Sequence, residues 1–347
     1  MDKDSRFYVG MDIGDRISET HVLDGEGELV EHSRVPTTKS ALERKFSAMP
    51  ASRVAIEVGT HSHWVSRSLS GMGHEVLVAN ARKLRLIHGN TRKSDHADAE
   101  YLARLARLDP QLLSPIRHRG AQAQADLALV RSRDSLVRAR TLLINHARGL
   151  VKSSGQRLAR CSPEAFATRA AANIPNELEP ALRPILESVA HLTGQIRAHD
   201  RQIERVAKDR YPESERLRQV KGVGPVTSLA FVLTLEDPSR FPKSREVGAY
   251  LGLVPRRHQS GDMDPQMRIS KTGDSHVRRL LVGSAQYILG PFGPDCDLRR
   301  WGLTLAERGG QNGRKRAVVA VARKLAVMLH RLWVTGEDYQ PQKCPAQ

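Results

Sequence analysis

Apolar residues follow two rhythms along the 347-residue chain. In the first third they form short runs bounded by glycine and polar residues. Residues 7–13, 20–24 and 29–35 read as three strands, with Gly25-Glu26-Gly27 turning the last two into a hairpin. A short helix is predicted over 40–48, a fourth strand over 53–58, a helix over 61–71 and a gapless apolar strand over 75–79. Ser94 is a good N-cap, and Ala99, Leu102, Ala103 and Leu105 follow it at helical spacing. That helix ends near Leu108, where Asp109-Pro110 breaks it. Three antiparallel-type strands followed by alternating strand and helix predict an RNase H-like α/β layout. An actin-like ATPase half would open in the same way.

The rhythm then lengthens. Leu129-Val130, Leu136-Val137, Leu143-Ile144 and Leu150-Val151 recur every seven residues, with Arg131, Arg133, Arg138, Arg140 and Arg148 between them. This predicts a long helix over 121–152 with a coiled-coil-type seam and a basic flank. Residues 153–176 read as an irregular connection holding a short helix at most. A second seam follows in Leu182, Ile185, Val189, Leu192, Ile196, His199, Ile203 and Val206, with Pro184 placing the helix start close to it. His199 reads as a register-setting polar residue. The two helices predict an antiparallel coiled-coil arm or a dimer seam. Beyond them, a helix, Gly222-Val223-Gly224 and an apolar helix over 228–235 make a helix-hairpin-helix pattern. Short helices are expected around 247–251, then one over 275–289, an irregular Gly-rich stretch over 292–313 and an amphipathic helix over 314–333. A disordered tail is expected from Asp338. The implied division is 1–113 α/β, 114–213 helical arm, 214–337 mainly helical C-terminal domain and 338–347 tail.

Composition narrows the class. Apolar content is 39%, and no apolar run reaches the ~20 residues of a membrane span. The N-terminus lacks the layout of a secretory signal, so a cytoplasmic location is expected. Cys161, Cys296 and Cys344 are widely spaced and give neither a disulfide framework nor zinc spacing. The net charge of +17 is unevenly spread. Residues 1–113 carry 16 basic and 16 acidic side chains, 114–220 carry 19 and 11, and 221–347 carry 20 and 11. All the excess therefore follows the α/β segment, and arginine dominates it. A basic excess of this kind points to a polyanionic partner, although a merely soluble basic surface would read the same.

Two stretches carry the chemistry. Tyr8-Val9-Gly10-Met11-Asp12-Ile13-Gly14 reads as a buried strand with one carboxylate, and Ile56-Glu57-Val58-Gly59 ends another. Asp95 and Asp98 lie three apart, on one face of the helix after Ser94. Taken singly, each acid could be a turn cap, a surface residue or a partner of the helix dipole. As a set on two strands and one helix, Asp12, Glu57, Asp95 and Asp98 suit a hard divalent cation, Mg2+ or Mn2+. Two such ions about 4 Å apart clamp the attacking and leaving oxygens of a phosphodiester. Lys221, Gly222 and Gly224 could bring backbone N–H groups to a phosphate at the next helix start, or form a plain tight turn.

These motifs resemble one family. Gly-Met-Asp-Ile-Gly, Ile-Glu-Val-Gly-Thr and Lys-Ser-Asp-His-Ala-Asp-Ala are similar to the Asp-Glu-Asp-Asp nuclease half of the insertion-sequence 110 family of transposases. Val-Lys-Gly-Val-Gly-Pro-Val-Thr, Leu-Gly-Leu-Val-Pro-Arg, Gln-Ser-Gly and Ile-Ser-Lys-Thr-Gly-Asp resemble its C-terminal transposase domain, in the right order. The resemblance implies a RuvC-like N-terminal domain with Asp12, Glu57, Asp95 and Asp98 as metal ligands. It implies a catalytic serine, matched by Ser260 in Gln259-Ser260-Gly261, although Gln259 stands where a small hydroxyl residue is common. Ser270 is the alternative nucleophile, and otherwise a turn cap. Arg256, Arg257, Arg268 and Lys271 would contact nucleic acid, the arginines neutralising charge at the reacting phosphate. The implied partners are donor and target DNA, a structured guide RNA encoded by the element, and further copies of the chain as a dimer or tetramer, with no membrane. The implied setting is bacterial and nucleoid-associated. A Holliday-junction-type endonuclease using water is the alternative, with Ser260 idle. The actin-like ATPase would require nucleotide binding.

Overall fold

The structure, a computed structural model, describes residues 7–80, 94–259, 263, 265 and 267–342. The chain forms two compact units, Met1–Gly120 and Ala121–Gln347.

The first unit is built on five strands: β1 (Tyr8–Asp12), β2 (Ile17–Leu23), β3 (Leu29–Pro36), β4 (Arg53–Glu57) and β5 (Glu75–Ala79). Their order is β3-β2-β1-β4-β5. The β1–β2 and β2–β3 pairs are antiparallel, while β1–β4 and β4–β5 are parallel. This is the RNase H-like layout the sequence predicts. Side-chain alternation sorts the two faces. Val9, Met11, Val22, Val54 and Ile56 bury one face in a cluster with residues of α1 (Lys39–Ser47) and α2 (Ser62–Gly71). The opposite face presents Gly10 and Ala55 to α3 (Asp95–Leu108). A Cβ on Gly10 would stand 1.9 Å from the Ala99 carbonyl oxygen and 2.4 Å from the Ala103 nitrogen. Helix and strand backbones therefore touch, and only glycine fits between them. Strand β2 begins three residues earlier than the pattern suggests. Its first inward residue is Ser18, fully buried, whose hydroxyl meets that of Thr37 at 2.8 Å. A satisfied hydroxyl here does the work of an apolar side chain and so hides the strand.

The second unit is helical. Helices α4 (Ala121–Ser153) and α6 (Glu179–Arg210) pack antiparallel, with the short α5 (Phe166–Ala171) beside one end. The partners run in reverse order: Asp126 with Arg210 and Tyr211, Arg133 with Asp200, and Arg140 with Thr193. Pro184 does not mark the start of α6. The helix begins five residues earlier, with Pro180 in its first turn, and Pro184 is a tolerated exposed residue inside it. Nor is His199 the polar group inside the seam. Its Nδ1 meets the carbonyl of Gln195 on its own helix. Asp126, Arg140 and Thr193 are the buried polar residues of the pair, with Arg140 also bonded to Glu164 at 3.0 Å.

The remaining helices are α7 (Glu213–Leu217), α8 (Pro225–Leu235), α9 (Arg245–Tyr250), α10 (Ser275–Leu289), α11 (Asp297–Arg308) and α12 (Gly313–Thr335). Helix α8 is buried all round from Thr227 to Leu235, as the axis of a cluster reaching Val130 of α4 and Ile203 of α6. The stretch read as irregular over 292–313 contains α11. Its glycine content misleads, because Gly302 is a contact point: a Cβ there would lie 2.5 Å from Val321 Cγ2 and 2.7 Å from Leu289 Cδ2. The tail is also not loose where it is described. The Asp297 N–H donates to the Pro341 carbonyl at 2.9 Å, and Gln219 bonds both Asp338 and Tyr339.

Gly10→Ala is expected to destabilise the α/β unit by at least about 2 kcal/mol, since the clash is with backbone and cannot be relieved by a rotamer. Denaturant unfolding of the full chain checks this. An unchanged midpoint would contradict the backbone contact.

Candidate active site

The acids at the end of the sheet are positioned by two registers. Strands β1 and β4 are parallel and paired through Met11↔Ile56, so Asp12 and Glu57 follow side by side at the strands' C-terminal ends. Alternation from Gly10 and Ala55 turns both toward the face that α3 covers. Helix α3 runs opposite to these strands. Arg53, at the start of β4, donates to the Ala106 carbonyl near the helix C-terminus at 3.1 Å. The helix N-terminus is thereby set over the strands' C-terminal ends. Ser94 caps it, accepting from the Ala97 N–H at 3.2 Å.

The two aspartates of that first turn differ. Asp98 is only 6% exposed and stands one helical turn before Leu102, which packs in one cluster with Ala55. It belongs to the row of Glu57. Asp95 lies one turn before Ala99, the residue against Gly10, and is exposed beyond the packed part of the helix. It belongs to the row of Asp12. Four acids thus share one end of the sheet. Among the described residues, no three His, Cys, Asp or Glu side chains converge on one point as a closed metal cage. The donor set is nonetheless all oxygen and suits a hard divalent cation that completes its shell with water and phosphate.

Sequence reasoning missed a neighbour of this row. Glu19 pairs with Asp12 in the β1–β2 register and takes the same face. It is held by His32 and Arg34, each at 2.9 Å. Beside it, His96 of α3 stacks edge-on to His32 at 4.2 Å and lies 5.4 Å from His21. Burial pushes the His21 imidazole below its ordinary value, while Glu100 acts the other way. Glu19 was invisible because the strand that carries it was read as starting at residue 20. The hairpin register, once known, finds it.

The second candidate region lies in the helical unit. The chain from Leu253 to Ile269 leaves and returns as a hairpin-like stem. Pro255 bridges Ile269, the Arg256 N–H donates to the Arg268 carbonyl at 2.9 Å, and the Ser270 N–H donates to Val254 at 2.8 Å. Two glycines in the left-handed region hold the base together. A Cβ on Gly252 would meet the Thr272 carbonyl at 2.3 Å, and one on Gly273 would meet that of Tyr250 at 2.0 Å. Arg256, Arg257, Arg268 and Lys271 are all exposed. Ser260 lies outside the described residues, as do Gly261 and Asp262. Ser270 lies in the turn before the following helix. Its hydroxyl meets Thr272 at 3.0 Å, and Asp274 caps α10 by accepting from the N–H groups of His276 and Val277. Burial works against ionisation of Asp274, but the Val277 N–H and Arg131 hold its carboxyl below the usual range.

Gly222 and Gly224 frame a separate cleft of about 500 Å³ that Thr227, Arg279, Ser284 and Tyr287 also line. Gly222 has φ +94°, and Lys221 beside it is exposed. The helix before this turn is only Glu213–Leu217, and α8 starts with Pro225.

Sheet order and acidic end define the first unit as an RNase H-like fold of the kind used by metal-dependent nucleases and their relatives. Comparison with known proteins is more specific. Residues 9–155 match a DEDD-type family of IS110 elements described as Transposase, and residues 214–294 match the Transposase IS116/IS110/IS902 family. The chain is 30% identical to a probable family 20 transposase of Pseudomonas aeruginosa, over 96% of this chain and 98% of that protein. It is 28% identical to the transposase for insertion sequence element IS1111A of Coxiella burnetii, over 96% and 91%. A pilin gene-inverting protein of Moraxella lacunata matches at 27% identity over 110 residues, 31% of this chain and 33% of that protein. The chain belongs to the IS116/IS110/IS902 family of transposases. Membership implies use of a divalent metal. No helix among the described residues is long and apolar enough to cross a membrane.

The contrast between the two aspartates is testable. Asp98→Ala is expected to lower Mn2+ affinity at least tenfold more than Asp95→Ala, by calorimetric titration of the full chain. Equal losses would mean that burial does not set each carboxylate's share of the ion, and a loss confined to Asp95 would reverse the ranking.

Proposed function

We propose that this transposase cuts and rejoins DNA by transesterification, with Ser260 as nucleophile and Asp12, Glu57, Asp95 and Asp98 as the metal-holding set. The observation that carries the reading is the hydrogen-bonded stem at Arg256 and Arg268, two exposed arginines that flank Ser260 in the sequence. A divalent ion held by the four acids would polarise the scissile phosphate. The Ser260 oxygen attacks phosphorus, one P–O bond forms as another breaks, and the hydroxyl proton leaves with the departing sugar oxygen. The phosphoserine ester keeps the energy of the broken bond, so the strand is rejoined without ATP. Arg256, Arg257 and Arg268 neutralise charge on the five-coordinate phosphorus. Lys271 and the turn at Lys221, Gly222 and Gly224 contact phosphates farther along, as a helix-hairpin-helix element does. The ion is Mg2+ or Mn2+.

The partial match to a protein named for inverting a gene supports the rejoining half of this reading, because inversion requires that cut ends be sealed again. The partners we propose are donor and target DNA, a structured guide RNA and further copies of the chain, with the α4–α6 pair acting as a coiled-coil arm between a domain over 1–113 and one over 214–337.

Ser260 is expected to become covalently joined to DNA. A nicked suicide substrate incubated with the protein, guide RNA and Mg2+ gives a slow band on a denaturing gel. Ser260→Ala loses the band and Ser270→Ala keeps it. The reverse pattern would move the nucleophile to Ser270. Cleavage without any band would mean that water attacks. Binding is also expected to be steeply salt-dependent. If six to ten phosphates are contacted, affinity falls by about 10³–10⁵ between ~50 and ~200 mM salt. A flat salt profile would contradict the phosphate-contact reading.

A further inference from the structure

One cavity of the helical unit has α11 and α12 walls that the reaction just described does not use. It holds about 1090 Å³, at the top of the range of single-ligand pockets. Its floor is apolar and comes from α11 and α12: Trp301, Leu305, Val319 and Val327. Its rim is cationic. Arg268 and Lys271 come from the hairpin stem, Arg308 from α11, and Lys315, Arg323 and Lys324 from α12. No Asp or Glu lines it among the described residues. The Lys324 ammonium lies 4.3 Å from the centre of the Trp301 ring. Met267 on its wall is 40% exposed, an apolar side chain left in water at the mouth.

An apolar concavity ringed by cations needs an occupant that is anionic at its edge and flat and apolar inside. A duplex satisfies the rim alone, because its bases stay stacked and would leave the floor in water. An acidic peptide also satisfies the rim but brings no planar face for the tryptophan. An unpaired nucleic-acid strand meets both demands. Its bases stack on an aromatic floor, and its phosphates follow the cations. The flexible stem of Lys324 lets the ammonium exchange the ring for a phosphate as a base arrives. Arg268, Ile269, Lys271 and Pro255 belong both to this wall and to the stem that carries the serine loop. Nucleotides next to a strand engaged at that loop therefore have the cavity within reach.

We infer that this cavity is a binding site for unpaired nucleotides, with Trp301 as the stacking platform and Arg323 and Lys324 as phosphate contacts. The inference rests on the proposed DNA-processing reading and deepens it, assigning to α11 and α12 the capture of a strand that has left its duplex.

The test uses the full chain and two fluorescently labelled probes of the same sequence, a single-stranded oligonucleotide of about 12 nucleotides and its duplex. Trp301→Ala is expected to weaken single-strand binding roughly tenfold or more, the range for losing one stacked base, and duplex binding by less than about twofold. Trp301→Phe should restore most of the loss. The exposed pair Arg323→Glu and Lys324→Glu, which carries no risk to the core, should weaken the single strand more than the duplex. Equal losses on both probes would reduce the cavity to a general cationic surface and overturn the inference. So would single-strand binding untouched in every variant, or a poly-glutamate peptide that binds with an affinity dependent on Trp301 while the oligonucleotide fails to displace it. A wild-type chain that binds duplex but no single strand would overturn the inference and leave the transposition reading standing. Failure to bind either probe, with or without guide RNA, would remove both.

Discussion

The contact between Gly10 and the backbone of α3 governs the geometry of the acidic end. Most helices lie on a sheet at a distance set by their side chains. Here the helix descends until the Ala99 carbonyl and the Ala103 nitrogen touch the strand. Small residues along both elements make this possible: Ala99, Ala103 and Ala106 on the helix, and Gly10 and Ala55 on the strands. The consequence is chemical. A helix held at this height brings its first-turn aspartates down to the ends of β1 and β4, where Asp12 and Glu57 emerge. With one larger residue at position 10, the four acids would be pushed apart. The local sequence Gly-Met-Asp thus contains both the spacer and the carboxylate, two residues apart on one face.

The helical unit solves a different problem, that of holding long elements in register. The repeating apolar pairs of α4 and α6 make a seam that could slide by a heptad without losing apolar contact. Polar groups prevent this. Asp126, 4% exposed, takes hydrogen bonds from Arg210, Tyr211 and Gln122, and it also pushes the Tyr211 hydroxyl upward in pKa after burial has done so. At the other end Arg140 is buried and committed to Thr193 and Glu164. A slip of one heptad would leave a buried carboxylate and a buried guanidinium without partners, which costs far more than the seam would regain.

What was legible in the sequence follows from which signals are local. The five strands and α3 could be read because alternation and a Ser cap are local patterns, and the face shared by Asp95 and Asp98 follows from helical spacing alone. Glu19 could not be found that way. Its place beside Asp12 depends on how β2 pairs with β1, and the strand's first inward residue is a serine whose fitness depends on Thr37, nineteen residues away. The same holds for α11. Gly302 looks like a breaker until Val321 and Leu289 are seen to fill the space it leaves. Pro184 misled in the opposite sense. Pro180 supplies the start signal of α6, and a second proline so near the N-terminus costs little, because few carbonyls precede it. The large cavity had no sequence signature, since its floor and rim are brought together from three separate segments.

The partition of charge has a mechanical meaning. A site meant to hold divalent cations gathers carboxylates, and their mutual repulsion must be balanced nearby. The first unit does this internally, with as many basic as acidic residues over 1–113. Glu19 is tied to His32 and Arg34, and Glu100 is held below its ordinary pKa by the Arg104 guanidinium. Residues 1–113 therefore have no net charge with which to attract a polyanion. The attraction must come from the helical unit, where the cations of α12 and of the serine-loop stem are exposed. The excess positive charge and the four acids are thus carried by different parts of the chain. Carboxylates gathered at the end of a segment without net charge repel phosphate until a cation arrives to offset them.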